Sequence, residues 1–471
     1  NHQNVLKRKI TSYLEKWKDS PYKECPLIRG ARQIGKSYIV EKFMQDNFES
    51  YLTIDFSRDR SLRSLVDGDL DIDRIMDDIC IHFPGFKPIP GKTAILLDEI
   101  QYCSAARTSL KFFVLDGRYR VIATGSSLGM ILREENDPSP PEDDLEPVGY
   151  EKEYAMYPLD FEEFLWNMGM EDAAVDSIRR RIHDRVRFGD GICDRLTRLF
   201  KIYTVVGGMP EAVQTYVDTS DMDAVRNVQK KIVEGYRNDI ARYVDEKERD
   251  RILSLFDSIP SQLCEENTKF MYSRIESISI PTYDTYSKGI NWLCEARIAA
   301  MCKNLSQPAL PLERNAMNKS FKLYMNDSGL LAGMMDPSIS KAVLKDDHRV
   351  NRGAIMENRV FSCIQSCGYT PYFFSNNHLD IDFIVNISNN VSAMEIKSGN
   401  NKRAKSLHSI KENHGVKRRM KFELSDIFVD EDGVEHYPLF ACAFADALKG
   451  NSDMDVTFDA GELNDMLKNG S

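Results

Sequence analysis

The segment GARQIGKS, residues 30–37, has the residue types and spacing of a loop that binds nucleotide phosphates. It matches GxxxxGK[ST], in which glycines let backbone N–H groups close around phosphate oxygens, Lys36 supplies a mobile positive charge and Ser37 offers a hydroxyl to Mg²⁺. The loop follows the apolar run PLIRG and precedes the helical pattern SYIVEKFMQ. We expect the phosphates of ATP to be bound by Gly30, Ala31, Arg32, Gln33, Ile34, Gly35, Lys36, Ser37 and Tyr38.

Two acidic residues end an apolar segment further along the chain. TAILLDEIQ, residues 93–101, places four apolar residues before Asp98 and Glu99. A buried parallel strand has this composition, and ligands of open α/β sheets bind at its carboxyl end. We expect Asp98 to hold Mg²⁺ through water and Glu99 to orient and deprotonate an attacking water. The pair therefore predicts hydrolysis as well as binding of ATP.

Another apolar segment, RVIATGSS at residues 120–127, ends in small polar residues. Ser126 or Thr124 could contact the γ-phosphate from a neighbouring strand end, and an ordinary exit from strand to loop explains each of them equally well. If subunits complete each other's sites, an arginine is also required. The sequence offers three candidates, Arg29, Arg32 and Arg133.

A second set of acids, with a lysine, lies near the C-terminus. Glu357 belongs to a helical pattern, and Asp382 opens the strand-like DFIVNI. A Ser-Asn-Asn turn leads to SAMEIK, on which Glu395 and Lys397 lie two residues apart and therefore on one side of the strand. Three acids in this arrangement can hold Mg²⁺, and Lys397 can polarise or deprotonate a water that attacks a phosphodiester.

The charge distribution limits how this chain could contact nucleic acid. Its 471 residues carry a formal net charge of −11, which argues against non-specific coating of nucleic acid. One run, residues 402–421, has eight Lys or Arg against the single acid Glu412. A DNA backbone could lie there, beside the second acid set. The helix predicted at residues 281–296 has a net charge of −1 and is a poor DNA reader, so we expect it to pack between domains.

Length and composition predict a multidomain α/β protein. The ten Cys form no CxxC pair and no apolar run approaches eighteen residues, which predicts a cytoplasmic location and no membrane association. Apolar periodicity predicts a P-loop core with a parallel sheet, a helical lid, a winged-helix domain and a C-terminal α/β domain. These four parts are predicted at residues 1–178, 179–246, 247–335 and 345–446, in that order. A loose acidic tail is predicted at residues 447–471.

Several motifs together resemble a large prokaryotic family of AAA-type ATPases that carry a C-terminal domain of unknown function. These motifs are RGARQIGKS, LLDEIQ, TGSS, YPLDFEEFLW and GGMPEAV, and the resemblance extends over residues 6–424. The GGMP element, residues 207–210, is also similar to a turn in the lid of STAND-type signalling ATPases. That resemblance implies a contact between Pro210 and the adenine ring.

The second acid set resembles a PD-(D/E)XK nuclease fold, particularly that of the archaeal Holliday-junction resolvases. The resemblance implies a restriction-endonuclease-like domain with Glu357, Asp382 and Glu395 as metal ligands and Lys397 as a catalytic residue. An inactive nuclease fold that serves as a scaffold or a protein-binding module would have the same sequence pattern.

Three functions are consistent with these patterns. The first is an ATP-driven enzyme that acts on DNA, with ATP and Mg²⁺ as cofactors. The second is a STAND-like signalling or assembly ATPase that uses an inactive nuclease fold to bind a protein partner or a second copy of itself. The third is a regulator controlled by nucleotide binding alone, against which Glu99 argues.

Overall fold

The computed structural model of the protein describes residues 5–21, 23–126, 149–244, 246–264, 270–272, 275, 283–347, 352–397 and 405–448. These residues form two β-sheets, one of five strands and one of eight, joined by a helical segment. None of the helices in these ranges is long and apolar enough to span a membrane.

The first sheet contains five parallel strands in the order β2-β3-β4-β1-β5. The strands are β1 (Cys25–Gly30), β2 (Ser50–Asp55), β3 (Thr93–Asp98), β4 (Arg120–Ser126) and β5 (Glu151–Ala155). The accompanying helices are α1 (Lys9–Asp19), α2 (Lys36–Asn47), α3 (Ile72–His82) and α4 (Ser104–Asp116). Both faces of β3 are buried, which explains its unbroken apolar sequence. Since the strands are parallel, the carboxyl ends of β1, β3 and β4 meet at one edge of the sheet.

Helices continue the chain after the first sheet. They are α5 (Phe161–Asn167), α6 (Asp172–His183), α7 (Asp190–Val206), α8 (Pro210–Thr219), α9 (Met222–Tyr243), α10 (Glu246–Leu263) and α11 (Tyr283–Glu295). Pro210 occupies the first position of α8, where its missing N–H has no intrahelical partner to lose. The range predicted as a helical lid, residues 179–246, is helical wherever it is described apart from short connections. The helix predicted at residues 281–296 corresponds to α11.

The second sheet is mixed, with the strand order β12-β13-β11-β10-β9-β8-β6-β7. Its strands are β6 (Ala299–Leu305), β7 (Ala316–Met325), β8 (Tyr372–Ser375), β9 (Asp380–Ile387), β10 (Asn390–Ile396), β11 (Arg418–Glu423), β12 (Phe428–Val429) and β13 (Glu435–Pro438). Helices α12 (Ser328–Met334), α13 (Pro337–Lys345), α14 (Gly353–Ser366) and α15 (Lys405–His414) accompany them. The predicted hairpin between β9 and β10 turns at Ser388 and Asn389, both with positive φ, as a tight two-residue turn requires.

The predicted boundary between a winged-helix domain and the C-terminal domain does not separate two sheets. Strands β6 and β7 lie in the range predicted as a winged-helix domain, residues 247–335. They pair with each other, and β6 also pairs in parallel with β8 through Asn304 and Phe373. One hydrophobic core extends from Ile10 in α1 to Leu448. The predicted tail, residues 447–471, begins with buried residues, and its remainder from residue 449 lies outside the described ranges.

A buried ion pair connects the helical segment to the second sheet. The guanidinium of Arg359 in α14 lies 3.2 Å from Oδ1 of Asp327 and 3.7 Å from the ring centroid of Tyr203 in α7. Oδ1 of Asp327 also accepts a hydrogen bond of 2.8 Å from the N–H of Gly208, and Oδ2 accepts one of 3.1 Å from Gly329. A Cβ at Gly207 would lie 2.0 Å from the Asp327 carboxylate, so only glycine fits beside it. The Gly-Gly turn that precedes α8 is therefore attached to the end of β7.

Candidate ATP site and a second acid–lysine cluster

The GxxxxGK[ST] loop connects strand β1, which lies between β4 and β5, to helix α2. A Cβ at Gly30 would lie 2.3 Å from the carbonyl oxygen of Met156, and Gly35 has a φ of +82°. Both positions therefore require glycine. Arg8 fixes the loop from outside, because its guanidinium donates to the carbonyls of Ile34 (3.2 Å) and Tyr157 (2.7 Å). Arg8 belongs to no motif, and sequence reasoning missed it.

Lys36 is buried at the base of this loop. Its ammonium donates to the backbone carbonyls of Gly30 at 3.1 Å and Ala31 at 2.8 Å. Burial lowers its pKa to about 8, although the carboxylates of Glu99 and Asp98 act in the opposite direction. Backbone carbonyls carry no net charge, so phosphate oxygens can replace them as partners of this ammonium.

Asp98 and Ser37 meet at the carboxyl end of β3. The Ser37 hydroxyl donates to Oδ1 of Asp98 at 2.8 Å, and the Thr124 hydroxyl donates to the same oxygen. Burial raises the pKa of Asp98, while these two hydroxyls lower it. A hydroxyl and a carboxylate side by side fit Mg²⁺, which binds few protein oxygens together with phosphates and waters. Ser37 and Asp98 are thus the residues that would hold the ion.

Glu99 lies directly beyond Asp98 in an uncommon backbone conformation. Its φ is +53°, in the left-handed region that non-glycine residues rarely occupy, and such conformations are found frequently at functional sites. The Gln101 side chain donates to the Glu99 carboxylate and, at 3.3 Å, to the hydroxyl of Ser126. Gln101 therefore links the predicted base to the predicted contact on β4. It lies inside the LLDEIQ motif, but sequence reasoning gave it no role.

Pro210 lies next to the phosphate-binding loop. A Cβ at Gly35 would lie 3.6 Å from Cγ of Pro210. The two residues border a partly apolar cleft next to the loop. Its lining consists of Leu6, Arg8, Gly35, Tyr38, Ile39, Pro210, Glu211 and Gln214. An aromatic ring could pack against the apolar part of this lining. The contact between Pro210 and adenine stays a prediction.

Two of the three arginines that could complete the site of a neighbouring subunit are in ion pairs. Arg32 contacts Asp239 of α9 at 2.5 Å, and Arg29 contacts Glu153 of β5 at 3.0 Å. The hydroxyl of Tyr236 in α9 also donates to the Arg32 carbonyl at 3.4 Å. Helix α9 therefore covers the loop directly. Arg133 lies outside the described residues.

The second acid set contains a residue that the sequence did not predict. Lys322 of β7 and the hydroxyl of Tyr324 both donate to Oε1 of Glu357, each at 2.5 Å. Burial disfavours the charged form of Lys322, but the carboxylates of Glu357 and Asp382 outweigh it and raise its pKa. The ammonium of Lys322 thus neutralises an acid that we predicted to bind a metal.

Asp382, Glu395 and Lys397 lie near one another at the ends of β9 and β10. The Ile396 N–H donates to Oδ2 of Asp382 at 2.7 Å, and Lys397 Nζ lies 3.8 Å from Oε2 of Glu395. Burial, followed by repulsion from Glu357, raises the pKa of Asp382 to about 7. Within the described part of the chain, no group of three His, Cys, Asp or Glu side chains could hold a metal ion. The predicted ligands Glu357, Asp382 and Glu395 thus do not form such a group of three.

Three side chains of the basic run at residues 402–421 are committed to the protein itself, whereas Lys411 and Lys417 are exposed. Arg419 is buried and donates to the carbonyls of Leu407 and Asp432. Lys421 is buried and contacts Glu423 at 2.6 Å, and Arg418 contacts Glu435 at 3.4 Å. These three side chains are in β11, between β10 and β13, and this explains their burial. They are not available to DNA phosphates.

Comparisons with known proteins divide the chain into three parts. Residues 23–165 match the family described as "AAA domain". Residues 197–340 match a domain of unknown function (DUF8612), and residues 352–439 match another (DUF4143). None of the curated proteins matches the chain. A solved structure of C. elegans PCH-2 is similar over 46% of this chain and 67% of its own, at 15% identity and a TM-score of 0.25, which is too low to support a conclusion about the fold.

The AAA-domain match and the geometry of the loop agree. The matched range contains β1, the phosphate-binding loop, Asp98 and Glu99. The boundary between the other two matches falls inside one β-sheet, since β6 and β7 belong to the middle match and the remaining strands lie at or after residue 372. Residues 23–165 are thus an AAA-type P-loop ATPase domain, followed by two domains of unknown function that share a sheet.

Proposed function

We propose that this chain hydrolyses ATP and that the hydrolytic cycle moves the second sheet relative to the P-loop. The observation that supports this most directly is the meeting of Ser37, at the start of α2, with Asp98 and Glu99 at the carboxyl end of β3, next to the buried ammonium of Lys36. A site built only to bind nucleotide needs no carboxylate beyond the one that holds the ion. Glu99 is that additional carboxylate.

The proposed reaction is the attack of water on the γ-phosphorus of ATP. The water oxygen forms a bond to phosphorus, the bond from phosphorus to the bridging oxygen breaks, and the water proton passes to the carboxylate of Glu99. Lys36 holds the β- and γ-phosphates, and Gln101 orients Glu99. When bound, Mg²⁺ neutralises the charge that develops on the phosphate oxygens. ADP and phosphate are the products.

The contacts around α9 and the Gly-Gly turn support coupling between this reaction and the second sheet. The hydroxyl of Tyr236 donates to the carbonyl of Arg32 in the loop and accepts a hydrogen bond of 3.1 Å from Asn326. The next residue, Asp327, binds the N–H of Gly208, two residues before Pro210. A loop that closes on ATP therefore moves side chains attached to the end of β7.

Glu99→Gln tests the proposed hydrolysis. We expect this variant to keep ATP-dependent thermal stabilisation and to lower kcat by about 10²- to 10⁴-fold, because an amide cannot accept the proton. Phosphate release and thermal unfolding measure the two properties. Glu49→Gln is the matched control, since Glu49 is exposed and pairs only with Lys92 in the described contacts. Phosphate release at the wild-type rate in Glu99→Gln would remove Glu99 from this role.

A second function concerns the C-terminal domain. We infer that it acts as an ATP-controlled binding module for a protein partner or a second copy of the chain, rather than as a DNA nuclease. The observation that favours this is the ammonium of Lys322, which neutralises Glu357. The burial of Arg419 and Lys421 acts in the same direction, because it removes cations from a DNA path.

Cleavage assays separate this inference from the nuclease prediction. Supercoiled plasmid and a four-way junction are incubated with the protein in Mg²⁺ or Mn²⁺, with and without ATP. We expect no cutting under any of these conditions. Cutting that disappears in Asp382→Ala would establish a nuclease and refute the binding-module inference.

A further inference from the structure

Arg297 lies where helix α11 meets strand β6. Its N–H donates to the Cys294 carbonyl at 3.0 Å, and the N–H of Ile298 donates to Leu293 at 3.0 Å, which ends the helix. Arg297 itself has a φ of +56°, in the region that favours glycine. An arginine held there suggests that its side chain has a role that glycine could not fulfil.

The guanidinium of Arg297 is incompletely paired. Its Nη2 lies 3.9 Å from Glu153, whose carboxylate is closer to Arg29 at 3.0 Å. Its centre lies 5.8 Å from the ring centroid of Tyr157. Nη1 is buried and has no hydrogen-bond partner among the described residues. The side chain as a whole is 33% exposed, so an anion can reach it, and an anion that accepts from Nη1 would satisfy this donor.

This guanidinium lies near Tyr157, which is linked to the phosphate-binding loop. Tyr157 follows Met156, whose carbonyl oxygen is packed against Gly30, and the Tyr157 carbonyl accepts from Arg8, which also donates to the loop. The positive charge of Arg297 acts on Lys36 in the same sense as that of Arg32, although burial is the largest influence on that lysine. Lys36 is the residue that contacts the β- and γ-phosphates in the proposed function.

We propose that Arg297 is a catalytic residue that contacts the γ-phosphate of ATP bound to its own chain. Arg29 and Arg32 are less suitable because each is in a closer ion pair. Arg297 lies outside residues 23–165, which match the AAA domain, and directly precedes β6 of the eight-stranded sheet. The ATP site is therefore complete only when that sheet is docked. This inference rests on the proposed hydrolysis of ATP.

The end of β7 sets the position of Arg297. The Ile298 carbonyl accepts a hydrogen bond of 3.1 Å from the N–H of Asn326, and Asn326 also donates to Tyr236, which reaches the loop at Arg32. Loss of the γ-phosphate would remove an anionic partner from Arg297 and leave its donor unpaired again. The second sheet would thus respond directly to hydrolysis.

Arg297→Ala and Arg297→Lys test the assignment. We expect Arg297→Ala to lower kcat by about 10²- to 10³-fold with a change in the KM for ATP of only a few-fold, because the contact stabilises charge in the transition state. Arg297→Lys should restore part of this loss. ADP binding, measured by thermal stabilisation, should remain at the wild-type level and shows that each variant is folded. Arg314→Ala is the matched control, since Arg314 is exposed in the connection between β6 and β7.

Mixing two inactive variants distinguishes action within one chain from action between subunits. If Arg297 serves its own site, a mixture of Arg297→Ala and Glu99→Gln stays inactive. If Arg297 serves a neighbouring site, assemblies in the mixture contain some complete sites and activity returns. Restored activity would overturn the assignment to the same chain, and wild-type kcat in Arg297→Ala would overturn any catalytic role.

Failure of the proposed function would give a different result. If the wild-type protein shows no hydrolysis that depends on Glu99, the affinities for ATP and ADP still test Arg297. We then expect Arg297→Ala to lower the affinity for ATP and to leave the affinity for ADP unchanged. Equal loss for both nucleotides, or no loss for either, would overturn the γ-phosphate contact even in the absence of hydrolysis.

Discussion

Two buried lysines, Lys36 and Lys322, each lie near acidic residues, and their surroundings differ in one decisive respect. Lys36 donates to two backbone carbonyls, and its pKa is lowered to about 8. Lys322 donates to the carboxylate of Glu357, and its pKa is raised. Both are less than a tenth exposed. The difference therefore comes from the partner atoms and not from the depth of burial.

This difference separates a site that can accept an anion from one that is already neutralised. The ammonium of Lys36 can exchange neutral carbonyls for phosphate oxygens, which gains Coulomb energy. The ammonium of Lys322 already has a carboxylate, and a metal ion at Glu357 would have to compete with it. A lysine and acids near each other in sequence or space do not therefore indicate one kind of chemistry.

The largest expected effect in this comparison is on the stability of the Lys322 cluster. Lys322→Met leaves Glu357 buried without its cation, and removing one member of a buried ion pair costs about 3–5 kcal/mol. We expect a loss of this order in the free energy of unfolding, measured with urea. Lys319→Met is the control on the same strand, because Lys319 is exposed and should change stability by less than about 0.5 kcal/mol. Equal effects of the two substitutions would contradict a structural role for the Lys322–Glu357 pair.

The second prediction concerns Lys36. Lys36→Ala should abolish the stabilisation that ATP gives, which for the wild type is about 2.7 kcal/mol at an ATP concentration one hundred times Kd. Thermal unfolding with and without ATP measures this. Lys42→Ala in the same helix is the control, since Lys42 pairs with Asp46 on the surface. Unchanged stabilisation by ATP in Lys36→Ala would refute the phosphate assignment.

The third prediction is a pH dependence that arises from Asp382. Its pKa is about 7 in the folded protein against 3.8 in the unfolded chain, so the folded state binds the proton more tightly. The free energy of unfolding should therefore fall as pH rises from 3.8 to about 7, by at most about 1.4 kcal/mol per pH unit. Asp382→Asn keeps an oxygen for the Ile396 N–H and removes the titration. We expect the wild type to lose stability relative to Asp382→Asn over this range in urea unfolding, and parallel curves for the two proteins would contradict the assignment.

Sequence reasoning was most successful where chemistry and local structure use the same residues. The loop at residues 30–37 is one short segment, and the two acids after β3 are adjacent to each other. The match of residues 23–165 to the AAA domain confirms an ATPase domain there. The hairpin at Ser388 and Asn389 was predictable for the same reason. In each case the signal lies within a few neighbouring residues.

The remaining features depend on distant pairings that no local pattern reveals. Lys322 lies between the apolar residues Phe321 and Leu323 in β7. It reaches Glu357 only because β7 and α14 pack together. Arg297 lies in a turn without a motif, and Arg419 and Lys421 read as surface charges until β13 pairs beside them. Strand β6 joins β8 through Asn304, which pairs with Phe373 and exchanges two side-chain hydrogen bonds with the backbone of Ser375. A pairing between strands so far apart in the chain has no local pattern in a single sequence.

The carboxylate of Asp327 has a consequence for how such chains can change by recombination. It accepts hydrogen bonds from Gly208 in the segment before α8, from Gly329 at the start of α12 and from Arg359 in α14. Exchanging the stretch that contains Arg359 for an unrelated module would leave Asp327 buried without its cation. Removing residues 197–340 would leave the buried guanidinium of Arg359 without its carboxylate. Although three separate families match this chain, exchange of either stretch, residues 197–340 or 352–439, would break this buried ion pair.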